Sequence, residues 1–177
     1  MHRRVFTVGG LLALAASAAA PLARAQAPTP APPWLQVDGA VTHPLSLTRE
    51  QLEALPWREY AESREVQQDG RTVRLSVRYQ GHPLRDLIDR AGLAPDRRAV
   101  RHSVILLTAR DGYRASFSWG ELYNSALGDG VILVRSQDGR DFLAADGLPA
   151  LRSLQDTRSG PRHVRWLERI EVRVLGD

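Results

Sequence analysis

The feature that most constrains the fold is the strictly alternating segment Thr72–Gln80, which follows the turn dipeptide Asp69-Gly70. Every second position is apolar, so one face of an extended strand carries Val73, Leu75, Val77 and Tyr79. The preceding segment, Arg58–Gln67, is suited to pair with it, because Asp-Gly between two extended segments is typical of a tight β-hairpin. We therefore predict a hairpin with one buried face and one solvent-facing side.

Short apolar segments alternate with helix signals along the rest of the chain. Thr48 and Ser118 each begin a capping-box pattern, and a third helix is predicted from Leu84 to the expected C-terminal cap at Gly92. Further strands are predicted at Trp34–Gly39, Ser103–Thr108, Tyr113–Phe117, Gly130–Arg135 and Leu167–Val174. Short strands mixed with short helices and hairpins indicate an α+β fold with a mixed β-sheet, rather than a doubly wound parallel sheet.

The N-terminal segment has the organisation of an export signal. Arg3 and Arg4 precede a short apolar run rich in small residues, and a small-x-small cleavage site follows before residue 26. Arg3-Arg4-Val5-Phe6 also fits the twin-arginine pattern, although a Sec signal can carry two arginines as well, so both routes stay open. We predict a signal peptide over 1–25, a proline-rich linker over 26–33 and one domain over 34–177. The protein is then periplasmic, with no membrane span after processing.

Charge and cysteine content exclude several classes of protein. Removal of residues 1–25 leaves 21 arginines against 20 acids, so the near-neutral mature chain has no electrostatic footprint for nucleic acid. The chain has no cysteine, which excludes disulfides, thiol nucleophiles and iron–sulfur clusters. The four histidines of the mature chain show no metal-binding spacing, and no catalytic motif is recognisable. We therefore predict neither a metal site nor catalytic residues from the pattern alone.

A basic loop near the C-terminus is the candidate binding site. Gly160-Pro161 is surrounded by positively charged or titratable side chains, with one more arginine upstream: Arg152, Arg158, Arg162, His163 and Arg165. Arginine forks and exposed backbone amides suit the phosphate of a pterin cofactor or another anion. The alternative is a solvated loop in an arginine-rich protein.

Four segments in order resemble one known family. They are Gly81–Leu93 (Gly-His-Pro-Leu-Arg-Asp-Leu-Ile-Asp-Arg-Ala-Gly-Leu), Ala109–Ser118, Val131–Val134 with Asp138-Gly139, and the closing Asp146–Leu154 with Gly160–Val172. Together they resemble the molybdopterin-binding domain of the sulfite oxidase family across most of the mature chain. The resemblance implies that fold, a molybdopterin cofactor and a role for the basic loop in contacting the pterin.

The sequence departs from the family where the metal is bound. The resemblance implies a cysteine thiolate between the first helix and the Gly81 segment, and this interval reads Glu65-Val66-Gln67-Gln68-Asp69-Gly70. Amide and carboxylate oxygens are poorer ligands than a thiolate for such a soft metal centre.

Three hypotheses remain open. The first is a molybdopterin oxidoreductase whose metal is held by the pterin, with an oxygen ligand from Gln67, Gln68 or Asp69. The second, which we favour, is a non-catalytic or atypical periplasmic module that binds an anionic small molecule, a pterin or a redox or sensor partner protein. The third is a structural subunit of a larger redox complex.

Overall fold

The computed structural model describes residues 33–93, 96–158 and 160–176. Within these residues the chain forms ten strands in two sheets and four short α-helices. The predicted signal peptide and residues 26–32 of the predicted linker lie outside the described part. The α+β class with mixed strand directions is confirmed, but the strands form two sheets where the sequence predicted one.

The bounds of the elements follow chain order. The strands are β1 (Leu35–Gly39), β2 (Leu45–Leu47), β3 (Arg58–Gln68), β4 (Arg71–Pro83), β5 (Ser103–Ala109), β6 (Arg114–Ser118), β7 (Val131–Gln137), β8 (Arg140–Asp141), β9 (Ala150–Ser153) and β10 (Leu167–Val174). The helices are α1 (Arg49–Glu53), α2 (Leu84–Ala91), α3 (Arg97–Arg101) and α4 (Trp119–Tyr123). Short 3-10 turns cover Ala126–Gly130 and Ala144–Asp146.

The two sheets differ in strand direction. The first has the order β2-β1-β10-β5-β6, in which β1 and β10 are parallel and the other pairs are antiparallel. The second is antiparallel, with the order β3-β4-β7-β8, and β9 also pairs with β7. Residues 132–134 of β7 pair with both β4 and β9, so β9 lies on the side of β7 opposite β4. This arrangement brings β9 and its Arg152 into the same sheet as the predicted hairpin.

The main core lies between the sheets and includes the apolar stripe of α2. Its fully buried members include Leu35, Leu87, Phe117, Leu151 and Ile170. A second, smaller cluster packs around Tyr79 of β4 and Ile132 of β7. Because the chain has no disulfide, burial of this apolar surface is the main favourable term in folding.

The helix ends that capping residues predicted from the sequence are present in the structure. Thr48 and Ser118 each accept a hydrogen bond from the backbone of the third residue of the helix and form complete capping boxes. Gly92 ends α2 at φ +70°, in the region that favours glycine. Within the described residues, no helix has both the length and the apolar character required to cross a bilayer.

The predicted hairpin is present, but only its base is buried as expected. β3 pairs with β4 in one continuous register from Gln68–Arg71 at the turn to Arg58–Gly81. Val77 and Tyr79 are buried, whereas Leu75 is 40% exposed. The prediction of a face buried along its whole length was therefore wrong, because β4 pairs with β7 only from Tyr79 onward and the outer hairpin has no neighbouring strand.

Gly39 gives a test of how tightly the first sheet is packed. A Cβ at Gly39 (φ +88°) would lie 2.2 Å from the carbonyl oxygen of Val172, whereas Gly112 has nearly the same φ (+86°) and nothing within 4 Å. Both alanine variants meet the same backbone strain, so we expect Gly39→Ala to destabilise the fold by ~1–3 kcal/mol more than Gly112→Ala. Denaturant unfolding of the two variants measures the difference, and equal losses would show that β1 and β10 can separate without cost.

Candidate anion-binding site

The predicted basic loop connects β9 to β10 and is fixed at two points. Val164 exchanges two backbone hydrogen bonds with Leu151 of β9, at 2.8 and 3.0 Å. The carbonyl oxygen of Pro161 accepts a hydrogen bond from the hydroxyl group of Tyr113. These attachments give the side chains of the loop defined directions.

Arg162 is directed into a pair of carboxylates. Its Nε donates to Asp156 at 3.0 Å and its Nη1 donates to Glu121 at 2.7 Å, while Nη2 also donates to Asp156. The guanidinium carbon lies 4.5 Å from the centre of the Phe117 ring. These hydrogen bonds, first of all those with Asp156, raise the pKa of Arg162 above its ordinary value. Its charge is neutralised inside the protein, so this arginine stabilises the loop.

Arg165 extends in another direction. Its Nε donates to the carbonyl oxygen of Asp146 at 2.9 Å, and its guanidinium group lies 4.7 Å from the centre of the Trp166 ring. A Cβ added to Gly147 would lie 2.6 Å from Arg165 Nε, so the arginine covers the face of Gly147. Arg158 is exposed and contacts no other described residue through a hydrogen bond or an ion pair. The structure therefore does not bring Arg158, Arg162 and Arg165 to one point.

Arg152 and His163 do meet. Arg152 Nη1 lies 2.5 Å from His163 Nδ1, and no carboxylate among the described residues forms an ion pair with Arg152. An arginine only donates, so Nδ1 accepts and the proton of the neutral imidazole is assigned to Nε2. Burial lowers the pKa of His163 below its ordinary value and the charge of Arg152 lowers it further, while the nearby backbone of Ser153 opposes this shift in part. The neutral, Nε2-protonated form of His163 is therefore favoured.

The base of the hairpin supplies three more polar side chains. Glu62 of β3 is only 6% exposed and accepts a hydrogen bond from the hydroxyl group of Tyr79 at 3.1 Å. Arg64, two residues further along β3, lies 3.8 Å from Glu62 through its Nη2. Burial raises the pKa of Tyr79, and the Glu62 carboxylate raises it further, so the hydroxyl keeps its proton and donates.

These residues form one electrostatic group, which we call the hairpin-base cluster: Glu62, Arg64, Tyr79, Arg152 and His163. Both arginines are near enough to lower the pKa of His163, and both act on Tyr79. Two guanidinium groups face one carboxylate, which leaves the cluster with an excess of one positive charge when His163 is neutral.

Two buried nitrogen atoms of the cluster have no hydrogen-bond partner among the described residues. They are Nε of Arg64 and Nε2 of His163. Both carry a proton, so each one can be satisfied only by an acceptor. In a cluster with excess positive charge, the acceptor that fits best is an oxygen atom of an anion or of a strongly polar group. Anion binding is also what the sequence predicted for the basic loop.

Sequence analysis identified Arg152 and His163 but missed Glu62, Arg64 and Tyr79. The signal was present in the hairpin itself. A two-residue turn at Asp69-Gly70 pairs Gln68 with Arg71, and the same register pairs Glu62 with Val77 and Arg64 with Leu75. Glu62 and Arg64 therefore both lie on the apolar face, where a charge is unusual without a function or a partner.

The proposed oxygen ligands for a metal lie elsewhere. Gln67, Gln68 and Asp69 are exposed at the tip of the hairpin, where Gln67 donates a side-chain hydrogen bond to Thr72 at 2.8 Å. Asp69 is seven residues from Glu62 along β3 and its turn, or ~23 Å at the rise of an extended strand. In the described ranges, no three side chains of the His, Asp or Glu type come together as a metal site.

Comparison with known proteins identifies the family. The family model described as the oxidoreductase molybdopterin binding domain matches residues 25–174. The chain belongs to this family. The resemblance inferred from the four sequence segments is thereby confirmed.

A solved structure confirms the fold. The sulfane dehydrogenase SoxCD from Paracoccus pantotrophus superposes with a TM-score of 0.59 at 20% sequence identity, over 78% of this chain. The match spans only 37% of the SoxCD chain, so this protein corresponds to a part of that longer one. No curated protein matches the chain.

The residues present fit only a part of the cofactor that the family name implies. No thiolate is available, so the metal ligand that the family resemblance implies is missing, and Asp69 at the hairpin tip is far from Glu62 of the hairpin-base cluster. The covered face of Gly147 also prevents close approach of a cofactor to that backbone. The orphaned donors of Arg64 and His163, in contrast, suit a phosphate or another oxyanion.

The ion pairs of Arg162 predict a change in stability on substitution. Arg162→Ala leaves Asp156, whose side chain is 9% exposed, without its main partner. We expect a loss of ~2–3 kcal/mol, because an unpaired buried carboxylate keeps its desolvation cost. Arg158→Ala is the control and should change the free energy of unfolding by less than ~0.5 kcal/mol. Urea unfolding measures both, and a neutral Arg162→Ala would contradict the role assigned to these ion pairs.

The lowered pKa of His163 predicts a specific pH dependence. As the pH falls below the unfolded pKa of about 6.5, the unfolded chain takes up a proton that the folded His163 does not accept. The wild type therefore loses stability in this window, and His163→Gln should lose less between pH 7.5 and 5. Urea midpoints at both pH values give the comparison, since the carboxylates titrate alike in the two proteins. Identical pH slopes would show that His163 titrates normally.

Proposed function

We propose that this protein is an exported member of the molybdopterin-binding domain family that binds an anionic ligand without holding a metal through a protein side chain. Arg64, Arg152 and His163 would contact the anion. The single observation that carries the proposal is that Arg64 and His163 each present a buried, unpartnered N–H group in a cluster with excess positive charge. The phosphate of a pterin and a free phosphomonoester share this chemistry.

Each side chain has a distinct role in the proposed binding. Arg152 offers guanidinium N–H groups and, by donating to Nδ1, orients the imidazole so that Nε2–H is available as a donor. Glu62 limits the positive charge through Arg64 and fixes the hydroxyl group of Tyr79. An anion in contact with both arginines gains charge-assisted hydrogen bonds, which are about twice as strong as neutral ones.

The ligand test compares two site variants with one matched control. Addition of phosphate or phenyl phosphate should raise the melting temperature of the wild type. Arg152→Ala and His163→Ala should each weaken the affinity at least ~10-fold by titration calorimetry, since a hydrogen bond to a charged group contributes ~1.5–3 kcal/mol. Arg158→Ala, which removes one arginine charge from the loop that follows β9, should bind like the wild type.

Two results would overturn the ligand assignment. One is the absence of any response of the wild type to both phosphate probes. The other is an equal loss in Arg158→Ala, which would show that the net charge of the loop, and not the cluster, attracts the anion.

The alternative is a molybdopterin oxidoreductase whose metal is held without a cysteine ligand. Purification from a host that makes the cofactor separates the two hypotheses. Molybdenum near one atom per chain would favour the oxidoreductase. Pterin fluorescence after acid oxidation, without molybdenum, would identify the pterin phosphate as the bound anion. Absence of both leaves the free phosphomonoester as the ligand class to be tested by the titration above.

The periplasmic location is part of the proposal and is supported by the sequence of residues 1–25. Cell fractionation tests it, with an Arg3→Lys, Arg4→Lys variant to separate the routes. A twin-arginine signal loses export with this change, whereas a Sec signal keeps it because the positive charge is retained.

A further inference from the structure

β3 is an unusually open edge of the second sheet. It is 11 residues long and pairs with β4 on one side, and no other strand of the described chain lies beside it. Edge strands in soluble proteins are normally short, interrupted by a bulge or protected by lysine or proline. β3 contains neither residue and pairs with β4 without a bulge. Its remaining protection consists of charged side chains, among them Glu62 and Arg64 on the inward face.

We propose that the occupant of this edge is a second copy of the same chain, with two β3 strands paired antiparallel about a twofold axis at Ser63. Ser63 is the central residue of Arg58–Gln68, so this register overlaps the whole strand, from Arg58 opposite Gln68 of the second copy. The two sheets then join into one continuous sheet. This proposal shares Glu62 and Arg64 with the hairpin-base cluster, but it is tested at Ser63, which lies outside that cluster.

Charge complementarity selects the same register. With the axis at Ser63, Glu62 lies opposite Arg64 of the second copy, and the reverse pair forms on the other side of the axis. Tyr60 lies opposite Val66, on the face that also carries the half-exposed Leu75. The only inward-facing carboxylate of β3 thereby gains a second cationic partner, and no like charges are opposed.

The neighbouring registers that keep the same face are worse. An axis at Glu62 places the two Glu62 side chains opposite each other and also opposes Glu59 with Glu65. An axis at Arg64 opposes the two Arg64 side chains. Like charges directly opposite each other destabilise a strand pair. A register shifted by one residue places the apolar face of one copy on the same side of the joined sheet as the polar face of the other copy.

The first test measures the molar mass of the full expressed protein in solution, by light scattering across a concentration series. A dimer is expected for the wild type and a monomer for Ser63→Lys, which places two positive charges at the axis. Ser76→Lys is the matched control, because Ser76 is the exposed β4 partner of Ser63 and lies one strand away from the edge. Circular dichroism confirms that both variants are folded.

The second test reads the register directly, because the chain has no cysteine of its own. Ser63→Cys should form a disulfide-linked dimer under mild oxidation, whereas Glu65→Cys should not, since its two sulfur atoms would be ~13 Å apart. Spin labels on Asp69→Cys should report a distance of ~40 Å, as the two tips lie twelve residues apart along the paired strands.

Several outcomes would overturn the dimer. They are a monomeric wild type at ~100 µM, a dimer that Ser63→Lys leaves intact, or crosslinking at Glu65→Cys in place of Ser63→Cys. The two proposals are tested by different variants, because Arg152→Ala and His163→Ala leave β3 unchanged and Ser63→Lys leaves the side chains of the anion site unchanged. A dimer that binds no phosphate would therefore contradict only the anion site. A monomer that binds phosphate would contradict only the dimer.

Discussion

The register of the long hairpin is the constraint on which the rest of the site depends. Asp69 and Gly70 both adopt positive φ, at 51° and 72°, and form a two-residue turn from which pairing continues without a bulge to Gly81. This register carries Tyr79 into the second core cluster and sets Glu62 against its hydroxyl group. A slip of one residue would turn every side chain of one strand to the opposite face. The cluster would then lose both its carboxylate and its tyrosine.

Charge matching explains why a loop with four basic residues does not form a single basic pocket. Residues 26–177 hold 21 arginines and 20 acids, so most arginines have a carboxylate available. Arg162 uses two of them, and Arg165 is satisfied by backbone carbonyl groups. Arg152 differs because the described residue at its guanidinium is a neutral imidazole. Unmatched charge, and not the local density of arginines, therefore marks the candidate site.

Much of the fold could be predicted from the sequence because its signals are local. The capping boxes at Thr48 and Ser118, the cap at Gly92 and the turn at Asp69-Gly70 each depend on neighbouring residues only. The division into two sheets could not be predicted, since it depends on pairing between distant strands. The same limit applied to the site: contact between Arg152 and the base of the hairpin requires β7 to lie between β4 and β9.

The hairpin also shows how the family fold is kept without the thiolate that the family resemblance implies. The interval where the family resemblance implies a thiolate runs to an exposed tip in this chain, and Asp69 at this tip is ~23 Å from Glu62 at the rise of an extended strand. The unpartnered donors of Arg64 and His163 belong to the cluster at the base of the hairpin. Those donors are guanidinium and imidazole N–H groups, which bind oxyanions and cannot replace a thiolate as a ligand for a soft metal. β3, which pairs with β4 alone among the described strands, presents a long open edge. The proposed anion site at the base and the proposed pairing along the edge share Glu62 and Arg64, whereas Arg152 and His163 belong to the first alone and Ser63 to the second alone.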